Sequence, residues 1–519
     1  MNPLTQSPEA ISQTIQFYSL LGGSTGDIVP ATEILSRLQK VLTDLGVDFY
    51  TGISSGAVNS KLISDALNKT LLEDPIGELI SKNINGNTNA NLMQFGNIYL
   101  GMYKKVGDAV LTYYDYLSKN GFFENTGPKV LLINPSTYPT IAPIIKYLES
   151  KQVLVLQIDE VGNNPNGNRV DSSPMLPGLS PRWSNFATSL SLNLIAGKAA
   201  KLWRQFLGDD VNVENHLPKD PTMLFAHARS ASSAISLNDE VISNNIDIID
   251  DPESDVDERI YHSLIKLFPE QDPLEIYKLI NELGILYIPR IAKVPENVVL
   301  DEEISGFLDL DGEKVFLNSS SFDLEKDHDI LIDKLSRFIT EYREKYGKEL
   351  RIILNDGKED FKHTIIPEHL KNNIYISRNP NYLTVLFHDQ RVETIISTFG
   401  QGSADLASAF AEGKRIIGLN FVTDQKANIN HLNLMRAGTD QGEIPSISWQ
   451  NFTTDLLHSE ISNKPLVDST KNIEEITKGL DLRIKQGAVF MLMRMYKSLN
   501  ISEDQREIIK LAINYLGEQ

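Results

Sequence analysis

Cysteine is absent from all 519 residues. Its absence removes disulfides, thiolate zinc sites and cysteine nucleophiles together. It leaves the redox compartment undetermined, because a chain without thiols is indifferent to it. Also missing is any apolar run of about 18 residues, the minimum for a membrane-spanning helix. The opening stretch, MNPLTQSPEAISQ, has neither the basic nor the apolar region of a secretory signal. A cytoplasmic location is expected, with signal-independent export left open. Positive charge is scarce: 49 Lys+Arg face 69 Asp+Glu, a formal net charge of −20. That sign opposes a nucleic-acid partner or an anionic lipid surface, and no basic stretch of useful length compensates it. The acidic cluster from Asp247 to Glu258 is expected to be a solvated loop or insertion. The nine histidines are scattered and form no H-E-x-x-H, so no metal site is expected. A serine-hydrolase elbow, G-x-S-x-G, is likewise missing.

What is present is alternation. Thr14–Leu21 has the composition of a buried strand and ends in Gly22 and Gly23. Apolar residues then recur at helical spacing through Ile28, Ala31, Ile34, Leu35, Leu38, Val41 and Leu45, with Gly46 as a stop signal. Further strands are expected at 47–50, 130–133 and 153–158, and helices at 141–148 and 190–207, after a loop between Gly162 and Pro181. The alternation restarts at Lys314, with strands at 314–317, 351–354, 373–376, 394–397 and 416–419. Two such runs predict an α/β chain of two Rossmann-like lobes. The expected division is 1–306, a hinge at Gly306–Asp311, 312–480, and a helical tail at 481–519 in which Ser502 and Gln505 form a capping box. About 519 residues suit two cores better than one.

Two glycine turns follow strands. The first is Gly22-Gly23-Ser24-Thr25-Gly26-Asp27-Ile28-Val29-Pro30. Such turns lie at the carboxyl edge of an open parallel sheet, where ligands bind. This one has neither the G-x-G-x-x-G of a dinucleotide site nor the lysine of a P-loop. Asp27 can cap its helix, or serve as a general base toward a substrate hydroxyl. Pro30 suits the first turn of a helix. The second turn is Thr398-Phe399-Gly400-Gln401-Gly402-Ser403, entering a helix at 403–411. Backbone amides at a helix start can hold a pyrophosphate. After the next strand, Asp424 and Gln425 could bond sugar hydroxyls. Any αβ unit with a polar loop has the same outline, and both readings stay open on the residues alone.

The opening turn, GGSTGDIVPATEIL, resembles that of GT-B glycosyltransferases of the sterol and antibiotic glucosyltransferase kind, which carry G-x-x-G-[DH]-x-x-P. The resemblance implies that Asp27 deprotonates the acceptor hydroxyl, with Ser24 and Gly26 on the acceptor side. The second turn is similar to the donor signature of UDP-glycosyltransferases, H-x-G-x-[GN]-[ST] followed by D-Q-x-x-N. It implies that Thr398, Gly400, Gln401, Gly402 and Ser403 face the diphosphate, that Asp424, Gln425 and Asn428 face the sugar, and that Ser321 is a further phosphate contact. Two positions depart from the pattern. Thr398 stands where the family has a histidine, and Leu406, beside Asp405, stands where plant members hold the ribose with an acid.

The resemblance further implies two lobes facing a central cleft and a tail crossing back to the first. It implies an inverting, metal-independent transfer from a UDP- or dTDP-sugar to an acceptor hydroxyl, with no further cofactor. The acceptor would be a small molecule or a lipid, and the oligomeric state is not indicated. A sugar-nucleotide epimerase or hydrolase and a non-catalytic nucleotide-sugar binder are the alternatives. Residues 60–310, which would shape the acceptor pocket, carry no decodable motif. His227, Trp183 and Trp203 are expected to be packing residues.

Overall fold

The computed structural model describes residues 14–23, 25–43, 47–54, 67–76, 92–134, 136–159, 181–208, 211–214, 224–228, 256–288, 291–292, 298–318, 328–355, 366–379, 382–397, 414–420, 429, 433, 444–448, 451–458 and 473–519. They form two parallel sheets. The first contains β1 (Gln16–Leu21), β2 (Asp48–Ser54), β3 (Lys69–Leu72), β4 (Lys129–Ile133), β5 (Val153–Asp159), β6 (Leu224–Ala228) and β7 (Ile285–Ile288). The second contains β8 (Glu313–Asn318), β9 (Leu350–Asn355), β10 (Ile374–Ser377), β11 (Thr394–Ser397), β12 (Arg415–Asn420) and β13 (Ser446–Ser448). The helices used below are α1 (Thr25–Leu42), α2 (Leu92–Lys119), α3 (Tyr138–Ile141), α4 (Pro181–Leu207), α5 (Glu258–Leu267), α6 (Glu302–Asp309), α7 (His328–Tyr346), α8 (Ile473–Ser498) and α9 (Glu503–Glu518). Among the described residues, no helix is long and apolar enough to cross a membrane.

The strand orders are β3-β2-β1-β4-β5-β6-β7 and β10-β9-β8-β11-β12-β13. Each sheet therefore starts in its middle, winds outward one way, and then returns to wind the other way. This is the doubly wound order, and its switch points lie between β1 and β4 and between β8 and β11. Both faces of each sheet are covered, which is why the strands are apolar without strict alternation. Successive side chains still point to opposite faces. Phe17, Leu21, Val130 and Leu132 pack against α1, α5, α8 and α9. Tyr18, Leu20, Leu131 and Ile133 pack against α2, α3 and α4. In the second sheet Val315, Leu317, Ile352 and Leu354 meet Leu331, Leu335, Phe338 and Tyr342 of α7, while Phe316, Ile353 and Ile395 meet Ile304, Phe307 and Leu308 of α6.

Three expectations change. Gly306–Asp311 is no hinge: Gly306 lies within α6, whose Phe307 and Leu308 are buried in the second sheet's core, and that core reaches back to Ala292. The helix expected at 141–148 is broken into α3, a 3₁₀ turn at Ala142–Ile144 and a short helix at Ile145–Ser150. Pro143 lacks the amide proton that a continuous helix would use, whereas Pro139 sits in the first turn, where none is needed. The acidic cluster ends in structure as well. The Asp257 carboxylate caps α5 through the Arg259 amide and lies 3.2 Å from Lys510 Nζ. The capping box of α9 forms as expected, with Gln505 N donating to Ser502 Oγ at 3.3 Å and Ser502 N to Gln505 Oε1 at 2.9 Å.

One helix serves both cores. Ile476 and Leu480 of α8 lie in the second sheet's core, and its residues from Ile484 to Met495 lie in the first. A Cβ on Gly487 would meet Ile34 Cδ1 of α1 at 2.5 Å, so only glycine lets these helices approach so closely. Arg37 pairs with Asp481 beside this contact.

Candidate active site

At the first switch point β1 runs into Gly22 and Gly23, and the two glycines are needed for different reasons. Gly23 has φ +93°, a conformation that side chains oppose. Gly22 has no such angle but lacks space: a Cβ there would meet Asp74 Oδ2 at 3.0 Å and Thr137 Cγ2 at 3.1 Å. The neighbours come from the ends of adjacent strands. Asn134, the residue after β4, receives the Gly22 amide proton on Oδ1 at 3.1 Å and donates from Nδ2 to the Gly22 carbonyl at 2.7 Å. Thr137 Oγ1 donates to the Leu20 carbonyl at 3.0 Å and accepts from the Asn134 amide at 3.2 Å. Asn134 and Thr137 are fully buried.

Asp74 follows β3 and is only 2% exposed. Its Oδ1 accepts the Ile76 amide proton at 3.0 Å. Burial, and next the charge of Asp74, push the Tyr113 phenol well above its usual range, so it stays protonated beside the carboxylate. Neither Asp74 nor Asn134 was singled out by sequence, since each is an ordinary turn residue there. The available signal was only that each sits just past an apolar run.

The turn delivers the chain into α1. Asp27 is the third residue of that helix, inside the first turn rather than at the cap position before it. Its backbone is described, whereas its side chain lies outside the described set. Gly26 is the second residue of α1; Ser24 lies outside the described residues. Pro30 is not in the first turn as expected but is the sixth residue of α1. It withholds the helical hydrogen bond that the Gly26 carbonyl would accept, which frees one backbone acceptor beside Asp27.

At the second switch point β8 ends at Asn318 and β11 at Ser397, paired in register. The segments that leave these ends contain Ser321 and the turn with Thr398, Gly400, Gln401, Gly402 and Ser403; all six lie outside the described residues. Asp424, Gln425 and Asn428, after β12, do too. What is described is the edge beneath them. Ser377, Asn355, Asn318 and Ser397 form one in-register row across β10, β9, β8 and β11. All four are at most 1% exposed. A buried Ser or Asn at a strand end needs partners, and the loop amides that have just left the ladder can supply them.

Of the remaining candidates, Trp203 is fully buried and its indole donates to the Thr140 carbonyl at 2.8 Å, a packing role. His227 lies on β6, in register with Asp159 and Tyr287. Trp183 lies on α4; the side chains of both residues are outside the described set.

Two doubly wound parallel sheets match known architecture. The glycosyltransferase of kitacinnamycin superposes with a TM-score of 0.50 at 12% identity, covering 93% of this chain and 98% of that one. The chain has the GT-B fold. Other similar structures are a UDP-glucosyltransferase from Polygonum tinctorium capable of glucosylating indoxyl (TM-score 0.46, 11% identity, 98% and 99% covered). A spinosyn rhamnosyltransferase complexed with thymidine diphosphate is a third (0.41, 13%, 92% and 95%). No protein-family model matches the sequence, and neither does any curated protein. In this GT-B chain the first switch point leads into the helix that contains Asp27. At the second, β11 ends just before the segment that contains Gly400 and Gly402, which lies outside the described residues.

Proposed function

We propose that this protein transfers a sugar from a UDP- or dTDP-sugar to an acceptor hydroxyl, with inversion and without a bound metal ion. The observation that carries the reading is the first switch point, where a clamped glycine turn leads straight into the helix turn bearing Asp27. The second sheet would hold the donor, with Gly400, Gly402 and Ser403 at the diphosphate and Asp424 and Gln425 at the sugar.

In the step proposed, the acceptor oxygen attacks the anomeric carbon from the face opposite the leaving group. Its proton passes to the Asp27 carboxylate, the new C–O bond forms, and the bond to the diphosphate breaks. The electron pair departs with the nucleoside diphosphate, whose growing charge would meet the backbone amides of the helix that the sequence predicts after Gly402. General-base assistance of this kind contributes about 10²- to 10⁴-fold.

Thr398 favours a second reading, a binder or hydrolase, because it brings no positive charge to the diphosphate. One experiment separates them. Calorimetry with UDP, dTDP and GDP identifies the nucleotide, and the matching sugar nucleotide is then incubated with and without an acceptor panel. Transfer requires an acceptor, whereas hydrolysis does not. Asp27→Ala should keep nucleotide affinity within about twofold and lose transfer by at least about 10²-fold. Undiminished turnover in that variant would remove Asp27 from the mechanism.

A further inference from the structure

The ladder between β1 and β4 ends at the pair Leu20 and Ile133, yet the two strands stay joined beyond it through side chains. We propose that Asn134 and Thr137 are positioning residues that set the glycine turn, and hence the first turn of α1 with Asp27, in the geometry that transfer requires. This rests on the function proposed above.

The argument is one of hydrogen-bond accounting. Gly22 has one backbone donor and one acceptor, and a single side chain satisfies both, at 3.1 and 2.7 Å. Only an amide can do so at this length: a carboxylate lacks the donor, and a hydroxyl cannot span both groups. Thr137 secures the clamp from two sides, holding the Leu20 carbonyl at 3.0 Å and the Asn134 amide at 3.2 Å. The peptide groups on either side of Gly22 are thereby fixed in orientation. The reversal at Gly23, with φ +93°, then starts from a set direction. The apolar residues Leu20, Leu21 and Ile133 are buried by the two apolar cores on either face of the sheet rather than by this arrangement. What it determines is where the chain goes next, and the next element is α1. Asp74 closes the remaining side of Gly22 and leaves the turn no room to shift toward β3.

The test uses near-isosteric changes in the full chain. Asn134→Asp keeps the acceptor for the Gly22 amide, loses the donor, and sets a negative charge against the Gly22 carbonyl. Thr137→Val removes the hydroxyl, and Thr137→Ser restores it. Transfer is measured per UDP-binding site, which corrects for unfolded protein, and amide hydrogen exchange is followed over residues 22–29. Asn134→Asp should lower kcat by about 30- to 100-fold, Thr137→Val by about 10-fold, and Thr137→Ser by less than about threefold. UDP affinity should stay within about twofold, and exchange over 22–29 should quicken at least about 10-fold while α8 is unchanged. Unchanged exchange over 22–29 overturns the clamp. Faster exchange with unchanged kcat per binding site overturns its positioning role. If the parent protein transfers no sugar to any acceptor, the functional reading fails by itself, and the exchange data still decide whether the clamp sets the turn.

Discussion

In the first sheet, the strands at the switch point end on Leu21 and Ile133, and polarity arrives one residue later through Gly22, Asn134 and the nearby Asp74. In the second sheet every strand ends on serine or asparagine: Ser377, Asn355, Asn318, Ser397, Asn420 and Ser448. The winding is shared, but the carboxyl edges are built differently. At its switch point the first edge is apolar up to the turn, and side-chain hydrogen bonds there meet Gly22 and Leu20, although β2 and β5 end on Ser54 and Asp159. The second has a buried polar row in register across β10, β9, β8 and β11. The difference fits two tasks. Under the proposed function, placing Asp27 would require a single fixed turn, whereas surrounding a diphosphate and a sugar would require several loops at once.

The largest effect should come from forcing the first edge apart. In Gly22→Ala the new methyl would press on the buried Asp74 carboxylate and the Thr137 methyl, at 3.0 and 3.1 Å. Overpacking of this kind should cost about 2–3 kcal/mol in urea unfolding. Gly306→Ala is the matched control: nothing lies within 4 Å of its added Cβ, and it sits in helix α6. Removing glycine's extra unfolded-state freedom should stabilise the protein by about 0.5–1 kcal/mol. If both substitutions behave alike, the first edge is not the tightly fitted site described above.

Of intermediate size is the effect of cutting the second edge. Asn318 ends β8 at the switch point between β8 and β11, is fully buried, and has a hydrogen-bonding or electrostatic partner. Asn318→Ala should cost about 1–2 kcal/mol of stability by leaving that partner unsatisfied. Under the proposed function it should also weaken UDP binding about 10-fold, read by calorimetry, because it removes a buried polar end from the strand that leads to Ser321. The Asn134 variants should leave UDP affinity alone, so the two edges make opposite predictions for the same titration. Parental UDP affinity in Asn318→Ala would erase the functional contrast between the sheets.

How much of this could be read from sequence depended on range. Local patterns gave β1, α1, β4, β5, β8, β9 and β11 nearly to their ends, because each is an apolar run closed by a turn signal. The four-residue β3, KTLL, was missed because two of its residues are exposed and its burial pattern has no period. The clamp was invisible for another reason: Asn134 and Gly22 are 112 residues apart, and no local spacing records their meeting. Likewise Asp74, in LLEDP, has the sequence context of a surface acid, and only the packing of Gly22 and Tyr113 around it shows otherwise. The polar ends of the second sheet were the legible part that went unread. Each is a Ser or Asn that closes an apolar run, as in RIILN, TIIS and RIIGLN.

The smallest effect concerns the opposite edge of the second sheet, where buried ions rather than polar strand ends do the joining. Lys414 precedes β12, is 7% exposed, and donates to the Val392 carbonyl at 3.0 Å and to that of Asp389. Burial lowers its pKa from the usual 10.5 to about 8, with the charge of Asp389 acting against the shift. The folded protein therefore releases this proton before the unfolded chain does. Between pH 8 and the ordinary lysine range the unfolded state binds more protons, so stability must rise with pH across that window. From pH 7 to 9 the rise should be about 1 kcal/mol. His388 does not confuse the measurement, because burial lowers its pKa below 6.5 and it is neutral throughout. The buried tyrosines, whose pKa values are raised, begin to oppose the trend only nearer pH 10. Urea unfolding at pH 7 and 9 should thus show a positive slope in the parent protein and a shallower one in Lys414→Met, where Lys129 and Lys485, also lowered by burial, still contribute. A flat parent profile would mean that Lys414 is solvated, and that the ion-built edge is looser than the polar row facing it across the sheet.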